Sequence, residues 1–221
     1  SKLIPMLQTN RGCPFSCTFC TDGRSDVNKV NFFGIERLKR ELDYIESNIP
    51  ESTHNLYISD LNFGMYEHDL EISRYIRELQ TKSHWPKRII ASTGKNRKER
   101  VIEAIKILGG SLLLSMSVQS LDENVLINVK RDNISTETMM SLAPVISQSN
   151  LSTFSEVIVG LPGESYQSHL NTVKSLVNAK IDFVKTFSLM LLMGSELDTP
   201  RERKKWDFKT KFRVLALDFA K

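Results

Sequence analysis

Short apolar runs alternate with longer segments of helical period along this chain. Several of the short runs are rich in Val, Ile and Phe, which is typical of β-strands. The predicted strands are Leu3–Thr9, Asn55–Asp60, Arg88–Ser92, Leu112–Val118, Thr153–Gly160 and Phe183–Leu191. In the longer segments apolar residues recur at three- and four-residue spacing, which predicts helices. These helices are Ile35–Ser47, Glu67–Thr81, Arg97–Leu108, Thr136–Ser147 and Ser165–Ala179.

The alternation of strands and helices favours a parallel sheet, because each parallel connection must cross one face of the sheet. In such folds the loops that leave the carboxyl ends of the strands converge on the ligand site. The periodicity fits an open sheet and a barrel equally well. Functional residues are therefore expected at the strand ends, whichever of the two architectures forms.

The chain has 221 residues, of which 40% are hydrophobic, and this suffices for one substantial core. We expect a single domain over residues 1–221. Both ends are abrupt, so we expect a longer protein whose neighbouring regions bind the substrate. No apolar run reaches the roughly 18 residues of a membrane span, and no export signal opens the chain, which predicts a cytoplasmic protein without a membrane partner. The net charge of +4 does not indicate a nucleic-acid partner.

All three cysteines lie in one loop directly after the first predicted strand, at Cys13, Cys17 and Cys20. Three thiolates at CxxxCxxC spacing suit an iron–sulfur cluster held at three corners, which leaves its fourth iron free for a ligand. Zinc is the alternative, but a structural zinc site normally needs a fourth ligand, and the histidines are scattered singly. An odd number of neighbouring cysteines argues against disulfides.

The loop resembles the CxxxCxΦC signature of the radical S-adenosylmethionine (radical SAM) enzymes, with Phe19 as the aromatic residue Φ. The motifs that follow are SVQSLD at 117–122, Lys130-Arg131, and ExIxGLPGE at 156–164. Their order is similar to that in the coproporphyrinogen-dehydrogenase and cobalamin-associated branches of this family. The resemblance implies an α/β fold, namely a partial (β/α)6 TIM-type barrel with parallel strands that is open at one side.

The same resemblance implies how the nucleoside and the methionine carboxylate are bound. Gln119 and Glu156 would bind the ribose hydroxyls, and Ser117 lies on the same side of its strand as Gln119 by the period of two. Arg131 would bind the carboxylate, since a guanidinium makes two parallel hydrogen bonds to such a group.

Phe19 and Ile158 would flank the adenine ring, although Phe19 also fits a simpler role as an apolar plug over the loop. The second strand departs from the commonest family pattern, because it carries SDLNFG at 59–64 in place of a glycine-rich stretch. We expect Asp60 or the nearby carbonyl groups to accept from the methionine ammonium.

By this resemblance a 4Fe–4S cluster would cleave S-adenosylmethionine reductively to methionine and a 5′-deoxyadenosyl radical, which takes hydrogen from an organic substrate that the sequence does not identify. An electron donor such as flavodoxin or ferredoxin is implied. The lack of further cysteines argues against a second cluster in these residues. The residues that lead into the loop most resemble members with an upstream cobalamin-binding domain, which favours radical-dependent methyl transfer.

The alternative to an enzyme is a non-catalytic interaction module stabilised by zinc or by a cluster. The segment Arg201 to Lys211 has six basic residues with Trp206 and Phe208 interleaved, and this composition suits RNA phosphates and bases. A solvated helix face is the commoner structure for such a run. Reductive cleavage of S-adenosylmethionine distinguishes the two hypotheses.

Overall fold

The computed structural model describes residues 3–115, 117–132 and 153–212. The strands are β1 (Met6–Leu7), β2 (Asn10–Arg11), β3 (Asn31–Phe32), β4 (Asn55–Phe63), β5 (Arg88–Thr93), β6 (Leu114–Ser115), β7 (Thr153–Val159) and β8 (Phe183–Ser188). One parallel sheet contains β1, β4 and β5, and a second contains β6, β7 and β8. The short strands β2 and β3 pair antiparallel beside them.

The two three-stranded sheets continue into one another. Ile89 in β5 pairs in parallel with Leu112, just before β6, and its amide donates to Ser111 O at 2.8 Å. The parallel strands therefore follow one another in the order β1-β4-β5-β6-β7-β8. Within the described ranges no pairing joins β8 to β1, so the curved sheet is open at that side. This arrangement confirms the predicted α/β fold with parallel strands.

The helices cross between the strands, as the sequence predicts. They are α1 (Ile35–Asn48), α2 (Glu67–Ser83), α3 (Lys98–Ile107), α4 (Glu123–Asn128), α5 (Tyr166–Asn178) and α6 (Pro200–Lys205). Asp122 caps α4 by accepting from the amide of Val125 at 3.0 Å, and Ser165 caps α5 by accepting from the amide of Ser168 at 3.0 Å. Each bond satisfies one amide that the first turn of a helix leaves without a partner.

The main core lies between the parallel strands and the helices. In β4, Leu56 and Ile58 are fully buried in this core, whereas Tyr57 and Leu61 on the opposite face are more than a third exposed. Successive strand residues point to opposite faces, so the helices cover one face and leave the other on the concave side. Burying each apolar side chain stabilises the fold by roughly 1.5–3 kcal/mol.

The six predicted strands all have counterparts, although β1 and β6 are shorter than expected. Four of the predicted helices are present within a few residues of their expected ends. The helix predicted at Thr136–Ser147 lies outside the described residues. The sequence did not predict the β2–β3 pair, α4 or α6, which are too short to show a period. No helix in the described part of the chain combines the length and apolar character needed to cross a bilayer.

Candidate active site at the cysteine loop

The cysteines lie in a loop between β2 and β3, whose antiparallel pairing closes the loop at its base. Gly12 begins this loop with a φ of +99°, a conformation that residues with a side chain rarely adopt. A Cβ atom on Gly12 would lie 2.1 Å from the carbonyl oxygen of Lys29. The two ends of the loop therefore approach each other more closely than any other residue type allows.

The middle of the loop is hydrogen-bonded to two distant parts of the chain. The amide of Thr18 donates to Val129 O at the end of α4, and Thr18 O accepts from the amide of Leu197 after β8, each at 3.0 Å. The amide of Cys20 donates to Cys17 O at 3.1 Å, which folds the second half of the motif into a turn. These bonds hold the cysteines at the carboxyl ends of the strands.

Three different side chains approach the buried thiols. Asn62 Nδ2 donates to Cys13 Sγ at 3.3 Å. Arg131 Nη1 lies 3.7 Å from Cys17 Sγ, and Lys95 Nζ lies 3.8 Å from the same sulfur. Cys13 and Cys17 are only 4% and 2% exposed. Donors and cations are thus directed at the sulfur atoms, as anionic thiolates require when they are taken out of water.

The third thiol has a different environment. Cys20 is partly exposed, and its Sγ lies 3.9 Å from Asp22 Oδ2. Burial raises the pKa of the Cys20 thiol, whereas a hydrogen bond from the Asp22 backbone lowers it and the charge of the Asp22 carboxylate raises it. Across the described ranges no three His, Cys, Asp or Glu side chains are grouped so that they could hold one metal ion.

The predicted ribose contacts lie together at the ends of β6 and β7. Ser117 Oγ donates to Glu156 Oε2 at 3.3 Å and lies 2.7 Å from Ser115 Oγ. Gln119 has a φ of 65° and exchanges backbone bonds with β7, donating to Glu156 O and accepting from the amide of Ile158, each at 2.9 Å. Gln119 Oε1 is buried and has no hydrogen-bond partner among the described residues. That acceptor is unsatisfied within the described part of the protein, which is unusual for a buried polar atom.

The two residues expected beside the adenine belong to one small apolar group. Val125, Val129 and Leu161 form its buried centre, and Phe19 and Ile158 pack against it as partly buried residues. Phe19 from the cysteine loop and Ile158 from β7 thus pack on the same apolar group. Both the plug role and the adenine role of Phe19 agree with this packing.

Arg131 reaches the cysteine loop from the end of α4. Its Nε donates to Val118 O at 3.1 Å, its Nη2 donates to Ser117 O, and its Nη1 is directed at Cys17. Burial lowers the pKa of Arg131, while the charges of Cys17 and the other two cysteines raise it. The side chain is therefore braced by backbone carbonyls next to the thiols. Its predicted contact with a carboxylate stays a prediction.

The structure gives Asp60 a different environment from the one expected. Asp60 Oδ1 accepts from the amides of Thr9 at 2.8 Å and Asn10 at 3.4 Å, and Oδ2 accepts from Thr9 Oγ1 and from Asn10 Nδ2 at 3.0 Å. The residue is 2% exposed, and burial raises the pKa of its carboxyl group. Both oxygens are occupied by the turn that follows β1, so the expected contact with an ammonium group has no support at this residue.

Sequence reasoning missed three residues at this site, namely Asn62, Lys95 and Lys98. Asn62 lies at the carboxyl end of β4 and Lys95 follows β5, where the rule on strand ends pointed, but neither is a typical metal ligand. Lys98 is buried and donates to Gly94 O at 2.7 Å and to Ser115 O at 2.8 Å. Burial, and to a smaller degree the charge of Arg131, lower the pKa of Lys98 to about 7.

A cavity of about 510 Å³ borders the loop, lined among others by Cys17, Cys20 and Ser195. Lys130 and Glu196 also line it and form an ion pair of 2.7 Å. Ser195 Oγ is buried and has no hydrogen-bond partner in the described ranges. The cavity gives a small molecule space beside two of the three thiols.

The basic segment considered for RNA lies at and after α6. Arg203 pairs with Asp198 at 2.6 Å, and Trp206 Nε1 donates to Glu202 Oε2 at 3.0 Å. An arginine and an aromatic residue of this segment are thus engaged within the protein. These contacts are those of a charged helix face, and they supply no argument for RNA binding.

Comparison with known proteins places this site in a family. Residues 7–176 match the Radical SAM superfamily. A 2-(S-pantetheinyl)-carbapenam-3-carboxylate methyltransferase of Streptantibioticus cattleyicolor is 32% identical over 205 residues, which are 91% of this chain and 30% of that protein. The cobalamin-dependent radical SAM methyltransferase TokK of Streptomyces tokunonensis is 31% identical over 213 residues, which are 95% of this chain and 31% of TokK.

The fold is also that of a solved enzyme of this kind. The structure of the radical S-adenosylmethionine methyltransferase TsrM from Kitasatospora setae, with cobalamin and a 4Fe–4S cluster bound, superimposes with a TM-score of 0.72. The superposition covers 88% of this chain and 36% of TsrM at 13% sequence identity, so this likeness shows the fold alone. The chain spans about a third of the length of the curated relatives it matches.

The prediction of the family from the cysteine motif is confirmed, as is its cobalamin-associated branch. The family uses a 4Fe–4S cluster and S-adenosylmethionine, and this membership decides against a non-catalytic module. The chain belongs to the radical SAM superfamily and is an enzyme domain of that family.

Proposed function

We propose that Cys13, Cys17 and Cys20 bind a 4Fe–4S cluster and that this domain cleaves S-adenosylmethionine for a cobalamin-dependent methyl transfer. The observation that carries the proposal is the arrangement of the three thiols in one loop at the strand ends, with donors directed at two of them. When bound, the cluster and S-adenosylmethionine supply one-electron cleavage of a carbon–sulfur bond.

The protein residues around the thiols fit an anionic group. Asn62 donates to Cys13, while Lys95 and Arg131 place positive charge beside Cys17. Hydrogen bonds and charges at the sulfur atoms stabilise thiolates and set the electronic properties of the metal centre they hold. A single zinc ion fits less well, because a structural zinc site normally needs four ligands and the sequence has three cysteines.

The ends of β6 and β7 fit the nucleoside. Gln119 Oε1 is a buried acceptor without a partner in the described ranges, and a ribose hydroxyl is a donor that would satisfy it. Glu156 and Ser117 are hydrogen-bonded to each other and offer further acceptor oxygens at the ends of β6 and β7. Phe19 and Ile158 would hold the adenine between apolar surfaces, since both pack on the same apolar group.

The two ends of the methionine part fit different residues. Asn62 Oδ1 is buried without a partner in the described part of the chain and can accept from the ammonium group, a contact we had expected of Asp60. Arg131 stays our candidate for the carboxylate, because its guanidinium lies at the thiols where such a group would approach the cluster. In this proposal the neutral amide of Asn62 binds the ammonium group and the cationic guanidinium of Arg131 binds the carboxylate.

The complete reaction needs more than these residues. The relatives of this chain are about three times its length, and their printed names describe methyltransferases, one of them cobalamin-dependent. We place cobalamin binding in a region outside this chain and methyl transfer to an organic substrate as the overall reaction. A flavodoxin or ferredoxin would supply the electron, and a reducing cytoplasm would keep the three free cysteines available.

The test is reductive cleavage by the loaded protein. The chain is reconstituted anaerobically with iron and sulfide, and S-adenosylmethionine and dithionite are added. We expect about four irons and four sulfides per chain and formation of 5′-deoxyadenosine. The control is the Cys13→Ser, Cys17→Ser, Cys20→Ser variant, in which both are lost. A fully loaded wild-type protein that forms no 5′-deoxyadenosine, or a purified protein that holds zinc tightly, contradicts the proposal.

A further inference from the structure

The three thiols have neighbours of different charge. Cys13 receives a neutral amide, and Cys20 lies beside the carboxylate of Asp22. Within the described ranges, Cys17 is the thiol with two cationic side chains in contact, Lys95 at 3.8 Å and Arg131 at 3.7 Å. The electrostatic environment across the loop is therefore asymmetric, with its positive side at Cys17.

The ammonium of Lys95 is held in place from two sides. Its Nζ lies 4.9 Å from the centre of the Phe15 ring, in addition to its contact with Cys17. The turn that carries Lys95 is also fixed, because the amide of Gly94 donates to Phe63 O at 2.9 Å and Gly94 O accepts from Lys98. Lys95 is thus directed at the cysteine loop by its own turn and by an aromatic face.

Within the described part of the chain, the ammonium of Lys95 is not paired with a carboxylate. None of the ion pairs in ranges 3–115, 117–132 and 153–212 includes Lys95. Arg131 differs, because the carbonyls of Ser117 and Val118 accept from it and brace it in the fold. Lys95 is therefore the charge near Cys17 that can be removed with the smaller structural effect.

We propose that Lys95 raises the reduction potential of the cluster through its charge at Cys17, so that the cluster accepts an electron more readily. This inference rests on the proposed function. Reduction adds one negative charge to the cluster, and a positive charge a few ångströms away stabilises the reduced form more than the oxidised form. Lys95 acts through the thiolate ligand and is thus a tuning residue for electron entry.

A role in binding S-adenosylmethionine is the main competing explanation for Lys95. A lysine that only contacts the methionine carboxylate changes the affinity for S-adenosylmethionine and leaves the potential of the ligand-free cluster unchanged. A lysine that acts on the cluster shifts that potential in the absence of S-adenosylmethionine. Measurement without S-adenosylmethionine therefore separates the two.

The experiment is an anaerobic redox titration of the reconstituted full chain, followed by electron paramagnetic resonance, without S-adenosylmethionine. We compare wild type with Lys95→Met, Lys95→Gln and Lys95→Arg. The matched control is Lys82→Met, which removes one charge from an exposed position in the last turn of α2. Iron and sulfide contents are measured for every variant.

At a fixed potential we expect Lys95→Met and Lys95→Gln to lower the ratio of reduced to oxidised cluster about tenfold, which for a one-electron couple is about 59 mV. Lys95→Arg and Lys82→Met should stay near wild type. A midpoint in Lys95→Met equal to that of Lys82→Met overturns the proposal. The proposal is also overturned if Lys95→Arg binds the cluster while Lys95→Met and Lys95→Gln do not. The charge of Lys95 would then be needed for cluster assembly.

Wild-type behaviour distinguishes this failure from failure of the proposed function. If the wild-type chain holds no 4Fe–4S cluster, the proposed function fails, and the inference about Lys95 fails as well. If wild type holds a cluster and cleaves S-adenosylmethionine while the Lys95 variants keep its potential, only the inference about Lys95 fails.

Discussion

Asn62 Nδ2 donates to Cys13 Sγ at 3.3 Å, and Oδ1 of the same amide is buried without a partner in the described residues. One side chain therefore serves a thiolate with its donor and keeps an acceptor beside it. β4 places Asn62 at this point, because its carboxyl end lies next to the loop that follows β1. The amide is thus suited to contact both a cluster ligand and the ammonium of a bound S-adenosylmethionine.

Asn62→Leu should weaken the binding of S-adenosylmethionine to the reconstituted chain about tenfold or more. A hydrogen bond to a charged group contributes about 1.5–3 kcal/mol, and leucine offers no acceptor. Calorimetric titration under anaerobic conditions measures the dissociation constant. Asn48→Leu, at the exposed end of α1, is the control and should bind as wild type does. Equal affinities in the two variants would show that Asn62 does not contact the ligand.

Gly12→Ala should prevent correct closure of the cysteine loop. The added Cβ meets Lys29 O at 2.1 Å and the residue must keep a positive φ, which together cost at least about 1–3 kcal/mol. We expect a lower Tm of the apoprotein and less than half of the wild-type iron content. Gly34→Ala is the control, since its Cβ meets nothing within 4 Å and its φ is −64°. Normal loading in Gly12→Ala would contradict this account of the loop.

Asp60→Asn should reduce stability and leave ligand affinity nearly unchanged. In the variant an NH2 group replaces one carboxylate oxygen, so it would face a buried N–H donor of Thr9 or Asn10 without an acceptor between them. We expect a loss of about 2–4 kcal/mol in the free energy of unfolding. Urea unfolding measures the loss, with the exposed Asp43→Asn as control. At a temperature where the variant is folded, its dissociation constant for S-adenosylmethionine should stay within threefold of wild type. A larger loss would restore Asp60 as the ammonium partner.

Lys98 should give the apoprotein a stability that rises with pH above about 7. The folded protein holds Lys98 neutral above its lowered pKa of about 7, whereas the unfolded chain keeps it protonated up to its ordinary value of 10.5. The unfolded state binds more protons in this window, so the free energy of unfolding increases with pH, by at most about 1.4 kcal/mol per pH unit. The neutral amine still has two N–H donors for Gly94 O and Ser115 O.

Urea unfolding at pH 7, 8 and 9 tests this expectation. Lys98→Met should be less stable throughout, because two buried carbonyls lose their donor, and it should lack this part of the pH dependence. Lys82→Met should keep the wild-type dependence. Parallel pH profiles for wild type and Lys98→Met would mean that the lysine stays charged in the folded protein.

The sequence predicted the strands, the crossover helices and the cysteine motif because each is a local pattern. Apolar spacing identifies a strand such as β7 or a helix such as α2 from a dozen residues. Elements of two residues, such as β2 and β3, have no period, and only their pairing reveals them.

The contacts at the thiols were not predictable in this way. Asn62 and Lys95 are 49 and 78 residues from the cysteines they approach, and only the order of strands in the sheet brings them together. Asp60 illustrates a contact that the sequence did not reveal. An acidic residue at a strand end looks like a ligand, yet the polar pair Thr9 and Asn10 just after β1 occupies it. Thr9 and Asn10 were the signal in the sequence that Asp60 has partners within the fold.

The bonds of Thr18 to Val129 and Leu197 have a consequence for biosynthesis. A growing polypeptide emerges from the ribosome with its amino end first. The cysteine loop therefore appears long before Leu197, whose amide donates to Thr18 in that loop. Until Leu197 has been translated, the motif lacks one of the two attachments that shape it. The cysteine loop therefore takes its final shape only after residue 197 has left the ribosome, and a product that terminates before this residue would hold its three thiols without that hydrogen bond.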